Sequence, residues 1–438
     1  MKTYFYIEKE KRNHLGFKVL FIVLLFANIS IYAFQKSEDF KQYKGEVVDA
    51  RNNNPLIFAT LTVEGTNIST ITNTEGDFLL KIPKSITTGT LLVSFIGYTT
   101  KKIDITVLKS NKNKILLETS ALKLSEVDIN APRDAKALFR ETLNKKGEKY
   151  FEDPTLMTAF YRETIKKRRR NVSLSEAVVN IYKTPYSSKR KDAVELFKAR
   201  KSTDYSRLDT LALKLQGGPF NALYVDIMKY PEYIFTDESI DNYTFNFDQS
   251  TRVNNRLIYI INFKQLKDIK EPLYQGKLYI DAENKTLTSA IYNLNITDKE
   301  LAARLFVRKK PKKADVWPTE VAYRVDYRNK NGKWYYGYSN ALLKFKVNWD
   351  DRFFNTVYSM TAEMAVTDWE KNLEGKFPKP NERIRKSIIL SDEAIGFSDP
   401  DFWGEYNIIE PEKSIEAAIK KIQRQLKRTK KKEGTSKP

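Results

Sequence analysis

Cysteine is absent from the 438 residues, and histidine occurs once, at His14. That imidazole falls in an N-terminal stretch with the features of an export leader, so the mature chain is expected to hold neither residue. Zinc sites built from His or Cys, Ser-His-Asp and Cys-His nucleophile systems, thiol redox centres and disulfides are thereby excluded. A chain exported without disulfides depends on its apolar cores alone. The lack of cysteine also removes the attachment point that a lipoprotein needs at its cleavage site. Long hydrophobic runs are scarce. The run that opens the chain, unbroken from Val19 to Ala27, is short beside the roughly 20 residues that a membrane span needs. Following the charged "MKTYFYIEKEKRNHLGFK", it fits a secretory signal over residues 1–33, cut after Ala33, with an uncleaved anchor as the alternative.

What is present is apolar bulk and positive charge. Hydrophobic residues make up 41% of the chain, enough for real cores, and the length allows two or three domains after a leader. The formal charge is +21, to which the leader adds five Lys or Arg against two Glu, and the closing "KKIQRQLKRTKKKEGTSKP" adds nine against one. On an exported protein this excess suits anionic lipid headgroups or acidic glycans, not nucleic acid. A basic solvated surface with no specific partner is the plainer alternative.

Residues 40–120 alternate apolar and polar positions in short runs, among them "FATLTVEG", "DFLLKI" and "TLLVSFIGY". About seven strands in some eighty residues is the count of a small sandwich. "ITNTEGDFLLKIP", residues 71–83, reads as a hairpin: Asn73 and Gly76 supply the turn, Phe78, Leu80 and Ile82 a buried face, and Asp77 and Lys81 the open one. Gly76 is expected in the left-handed conformation. Gly45, Val47, Asp49, Pro55, Leu56, Ala59, Val63, Gly65, Thr66, the turn from Thr72 to Phe78, and "VSFIGY" from Val93 to Tyr98 together resemble a known module. It is the carboxypeptidase regulatory-like domain that precedes the plug of many TonB-dependent outer-membrane receptors. The resemblance implies a seven-stranded Ig- or transthyretin-like β-sandwich and no activity. Asn73 stands where the family usually has Asp, and both serve such a turn. The plug and barrel of those receptors are not expected here, given the shorter chain and its lysine-rich end.

A polar linker is expected over 121–134, followed by a β-rich domain over 135–410. Ala135, Leu138, Phe139 and Leu143 space as one face of an opening helix. From Leu156 the chain reads as long antiparallel strands, with a more helical and loop-like stretch between 200 and 235. "DAENKT" at 281–286 and "RNKNGKWY" at 328–335 mark turns of a meander. The fold class is mainly β, a curved sheet or half-barrel with few helices, whose concave side is expected to enclose a cleft. Residues 411–438 are expected to form a helix from Pro411, striped by Ile415, Ile419, Ile422 and Leu426, and then a basic tail. Stretches such as "LQGGPFNAL", "LYQGKLYID" and "DFWGEYNIIEPEKSIEAAIKKI" look like Gram-negative envelope proteins that join this module to a β-rich domain, which implies no activity. "GKLYID" with "NKTLTSAIYNLN" is loosely similar to the half-barrel in which lipoprotein carriers hold acyl chains, and this implies a cleft.

Candidates for chemistry are few. Ser188 to Lys191 satisfies Ser-x-x-Lys in a basic loop with no Lys-Thr-Gly partner. Glu163, Glu176, Asp350 and Asp351 are candidate paired carboxylates, a weak signal among 55 acidic residues. "NTEGD" and "DAEN" lack the spacing of a calcium loop and read as turns, and "LQGGPF" reads as a tight bend. In "FYRE", Tyr161 and Glu163 share one face of a strand and Phe160 and Arg162 the other. Arg162 could then pair with Glu176 of "SEAVV", and Arg162, Glu163 and Glu176 are the candidate polar anchor in the cleft, with an edge ion pair as the alternative. "KKRRR" at 166–170 and "KKPKK" at 309–313 read as exposed loops suited to phosphates of lipid or lipopolysaccharide. No cofactor or metal is expected. The reading is a non-catalytic envelope protein at the periplasmic side of the outer membrane, binding lipid, glycan or a protein partner. The alternatives are a hydrolase using carboxylates or Ser-Lys and a small outer-membrane barrel.

Overall fold

The structure, a computed structural model, describes residues 40–120, 132–203, 215–253, 256–351, 353–396 and 402–412. The expected leader, most of the linker and the expected C-terminal helix lie outside the described residues.

Seven strands build the first domain: β1 (Phe40–Asp49), β2 (Thr60–Val63), β3 (Ser69–Ile71), β4 (Asp77–Pro83), β5 (Thr90–Ser94), β6 (Lys101–Asp104) and β7 (Asn113–Leu117). They form two sheets, β4-β1-β7 and β3-β2-β5-β6, closed over a core that includes Val47, Leu61, Phe78, Leu80, Leu91 and Val93. The stretch 71–83 is not a hairpin, because β3 and β4 belong to opposite sheets and the turn between them is a corner of the sandwich. Its chemistry is that of the expected turn. Asn73 Oδ1 accepts the Glu75 and Asp77 N–H groups, each at 2.9 Å, and Gly76 has φ +80°. Leu79 and Lys81, on the expected open face, are buried as well, because residues 402–412 cover it.

The second domain is one large sheet. Its strands are β8 (Thr155–Lys167), β9 (Arg170–Lys183), β10 (Ala193–Thr203), β11 (Tyr243–Val253), β12 (Arg256–Gln265), β13 (Tyr274–Asp281), β14 (Thr286–Leu294), β15 (Ala314–Lys330), β16 (Lys333–Trp349) and β17 (Thr356–Lys371). Spatial order runs β11 through β17 and then β8, β9 and β10, all antiparallel, with the two-residue β18 (Ile395–Gly396) parallel at the β10 edge. Asn331 and Gly332, both at positive φ, close the β15–β16 hairpin. Since β17 returns to pair with β8, the strand that opens the domain is central. The chain after β10 must then reach the opposite edge to begin β11.

That connection fills the inside of the sheet. Phe220, Leu223, Ile227, Met228, Tyr230 and Phe235 pack in one cluster with Leu138 and Phe139 of helix α1 (Ala135–Asn144) and with residues from β8 to β17. One cluster touching nearly every strand requires a curled sheet. Where an open cleft was expected, this face is a packed core, because the crossover between distant edges has nowhere else to bury its apolar side chains. Asp134 caps α1 by accepting the Lys136 and Ala137 N–H groups. Among the described residues no helix is long and apolar enough to cross a membrane.

The outer face carries the first domain. Ile71 and Leu79 of the sandwich, Phe160, Val178, Tyr338 and Ala365 of the sheet, and Trp403, Ile408 and Ile409 form one further cluster. Residues 402–412 are a strap between the two domains: Asn407 makes a reciprocal pair with the Lys81 backbone (2.7 and 3.0 Å), and Thr70 Oγ1 and Asn73 Nδ2 donate to the carbonyls of Ile408 and Glu410. Arg328 donates to Ser69 Oγ and, at 2.7 Å, to the Val366 carbonyl. A shared core couples the unfolding of both parts. Calorimetry should show one transition for the two domains, and Ile409→Ala should lower it by the about 2–5 kcal/mol expected of a buried truncation; two separate transitions would contradict the shared core.

Candidate functional site

Arg162 and Glu176 stand opposite each other on β8 and β9 and meet as an ion pair, Nη2 to Oε1 2.7 Å and Nε to Oε1 2.8 Å. Arg162 lies on central strand β8, and its side chain is 2% exposed, so this is not an edge pair. Arg162 also reaches Glu363 at 3.3 Å and donates to the Ile409 carbonyl at 2.6 Å, while Arg200 holds the other oxygen of Glu176 at 2.9 Å. Burial pulls the Arg162 pKa down, but Glu176 and Glu363 more than offset it. The strap closes over this network, so what Arg162 anchors is the chain's own segment.

Glu163 faces the inside of the sheet, where Tyr161 donates to it at 3.1 Å. Burial pushes its carboxyl up to about 7, against the opposing effect of the hydrogen bond from Tyr161. Glu163 and Glu176 thus lie on opposite faces of the sheet and cannot flank one bond. Asp350 and Asp351 sit in the exposed β16–β17 loop, away from both. Ser188 Oγ accepts the Arg190 N–H at 3.1 Å and Lys191 turns to Glu232 at 3.9 Å, so the Ser-x-x-Lys residues make no nucleophile–base pair. Among the described residues no group of His, Cys, Asp or Glu could hold a metal ion.

Two features leave little trace in the sequence. The first is a buried lysine: Lys183 Nζ lies 2.8 Å from Asp192 and 2.7 Å from Asp226, with the rings of Tyr186, Tyr230 and Tyr336 at 5.0, 5.4 and 5.8 Å. Tyr230 donates to Asp192 and Tyr327 to Asp226, at 2.7 and 2.8 Å. Burial lowers the Lys183 pKa and the two carboxylates raise it further, leaving it a fixed cation in a satisfied network.

The second feature lies above Asp192, a cavity of ≈ 460 Å³ between the β9–β10 connection, the start of β10 and residues 377–386. Val194, Phe220 and Ile384 line its floor; Arg190, Lys191, Arg383, Arg385 and Lys386 form its rim. Residues 377–386 reach it by pairing along the β10 edge, where Ile384 N–H donates to the Val194 carbonyl at 2.9 Å. The guanidinium groups of Arg190 and Arg383 both lie over Phe377, at 3.8 and 4.8 Å from its centroid. Lys191 has Glu232 for a partner, but no carboxylate pairs with Arg190, Arg383, Arg385 or Lys386 among the described residues. Asp192, the acidic residue of the lining, is turned inward to Lys183. Forked cations over an apolar floor suit an anionic group carried on an apolar or ring-shaped body. The signal in the sequence was "RIRK" at 383–386, indistinguishable there from an ordinary solvated loop.

Two outcomes follow from the buried charges. Arg162→Ala strands Glu176 and Glu363 and should cost about 3–5 kcal/mol in urea unfolding. For Glu163 the folded pKa of about 7 exceeds the ordinary 4.5, so between these values the unfolded chain ionises while the folded one resists. The Glu163 contribution to stability should therefore fall as pH rises from about 4.5 to 7, by on the order of 1–3 kcal/mol, and the difference between the wild-type and Glu163→Gln pH profiles should show that fall.

Comparison with solved structures gives matches over part of the chain. One is a domain described as an outer membrane lipoprotein-sorting protein from Vibrio parahaemolyticus, 10% identical, covering 56% of this chain and 94% of its own, TM-score 0.24. Another is a DUF1329 family protein from Desulfovibrio piger, 8% identical, covering 55% and 94%, TM-score 0.22. A third is lipovitellin, 5% identical, covering 58% of this chain and 28% of its own, TM-score 0.27. No curated protein sequence matches significantly. Residues 43–129 match the family model of the CarboxypepD_reg-like domain, which places the sandwich, about a fifth of the chain, in that family.

Proposed function

We propose that this is an exported, non-catalytic binding protein of the bacterial envelope, at the periplasmic side of the outer membrane. Its larger domain takes an anionic ligand, a lipid headgroup or acidic glycan, at the cavity rimmed by Arg190, Lys191, Arg383, Arg385 and Lys386, and the sandwich is its fixed accessory module. The cavity carries this reading: four of its five cations have no carboxylate partner among the described residues, and its volume of ≈ 460 Å³ falls in the range of small-molecule sites. An apolar ligand is not what such a rim selects, since guanidinium groups left facing hydrocarbon would forfeit hydration. The non-catalytic reading is supported by the separation of the candidate carboxylates and by the partners of Ser188 and Lys191, which are the Arg190 N–H and Glu232 instead of each other.

Titration calorimetry of the purified chain with glucose 6-phosphate, an acidic oligosaccharide and a neutral oligosaccharide tests this. At least one anionic probe should bind and the neutral one should not. Arg190→Gln with Arg383→Gln should weaken that binding at least tenfold, about 1.4 kcal/mol, without loss of fold, since both side chains are exposed. Equal binding by the variant, or a preference for the neutral probe, would sink the reading.

A further inference from the structure

The end of the sheet opposite the cavity gathers residues that neither the core nor the cavity uses. Phe353 and Phe354, in the loop joining β16 to β17, are 103% and 80% exposed. Trp349, at the end of β16, is packed into a small core with Val316, Val347 and Tyr358, so apolar burial was available close by and the two phenylalanines stand beyond it. The strand order β15-β16-β17-β8-β9 brings both basic runs to this loop. On one side Asp350 N–H donates to the Lys313 carbonyl at 3.1 Å, fastening the loop beside Lys309 to Lys313. On the other, Arg168 N–H donates to the Val357 carbonyl at 2.7 Å, fastening the β8–β9 turn, Arg168 to Arg170, at its foot.

The charges here are lopsided. The two runs supply nine Lys or Arg, against Asp350 and Asp351 in the loop itself. Lys310 is held by Asp315 at 2.9 Å and Lys166 by Glu412 at 3.3 Å. The side chains of Arg168, Arg169, Arg170, Lys309, Lys312 and Lys313 are exposed and make no ion pair among the described residues. A strongly exposed aromatic pair between two such rows matches an interfacial site, where rings enter the boundary of headgroup and acyl chain and cations meet phosphates. A protein partner would account for the phenylalanines but not for cations flanking them on both sides.

We propose that this end of the sheet seats on an anionic lipid surface, with Phe353 and Phe354 entering the interface and the basic runs at 166–170 and 309–313 gripping the headgroups. The site is separate from the cavity: β9 runs the length of the sheet from Arg170, at the seat, to Lys183, beneath the cavity.

Sedimentation of the full chain with vesicles tests it. Vesicles of phosphatidylcholine with two-fifths phosphatidylglycerol should capture the protein, and pure phosphatidylcholine should not. Replacing Arg168, Arg169, Lys312 and Lys313 by Gln should weaken capture at least tenfold and flatten its salt dependence. Phe353→Ser with Phe354→Ser should also weaken it at least tenfold, chiefly at high salt, while leaving the Arg190–Arg383 cavity's anion binding unchanged. Phe354→Trp should add fluorescence that brominated lipid quenches, a readout that an N-terminal anchor elsewhere in the chain would not produce. Capture undiminished in the double serine variant, absence of quenching, or protection of Phe353 and Phe354 by another envelope protein with no capture by vesicles would each overturn the proposal.

Discussion

A guanidinium removed from water needs an anion and several acceptors around it, and in this molecule those partners come from three different stretches of chain. Arg162 draws Glu176 from the neighbouring strand, Glu363 from the strand on its other side, and the Ile409 carbonyl from a segment more than two hundred residues away. Because the last of these is part of the strap, satisfying one charge in the middle of the sheet also determines where residues 402–412 lie. The strap in turn presents Asn407, Ile408 and Glu410 to the sandwich, and its apolar residues complete a cluster to which each domain contributes. The position of the first domain is thus a consequence of a polar requirement in the second.

The sheet's inner face follows a similar logic. A strand order that makes the opening strand central forces the chain after β10 to travel to the far edge, and the length in between must bury its own aromatic residues. It does so inside the curl. Lys183, Asp192 and Asp226 tie that crossover to β9 at its buried end, which leaves room at the rim, over Val194 and Phe220, for the cavity.

Local rules were legible wherever one residue decides the geometry. The left-handed Gly76, the Asn-Gly turn at 331–332, the face of α1 and the alternation that sets Arg162 against Glu176 could all be read from spacing. What could not be read depends on which strands become neighbours. Residues 71–83 look like a hairpin because a corner between two sheets uses the same Asn and Gly chemistry as a turn within one. Lys81 reads as exposed because its cover comes from residue 404 and beyond. The cavity was invisible for the same reason, since its rim joins residues 190–191 to 383–386 across the β10 edge, and no short-range pattern encodes that meeting.

The length of β9 has one more implication. Fourteen extended residues at about 3.3 Å each set its two ends roughly 40 Å apart. That exceeds the depth of a lipid headgroup layer several times over. A protein footed on a bilayer at its Arg170 end would lift the mouth near Arg190 well clear of that bilayer, so that the ligand proposed for the cavity would have to come from the aqueous gap or from a facing layer, and the footing leaflet would be out of reach.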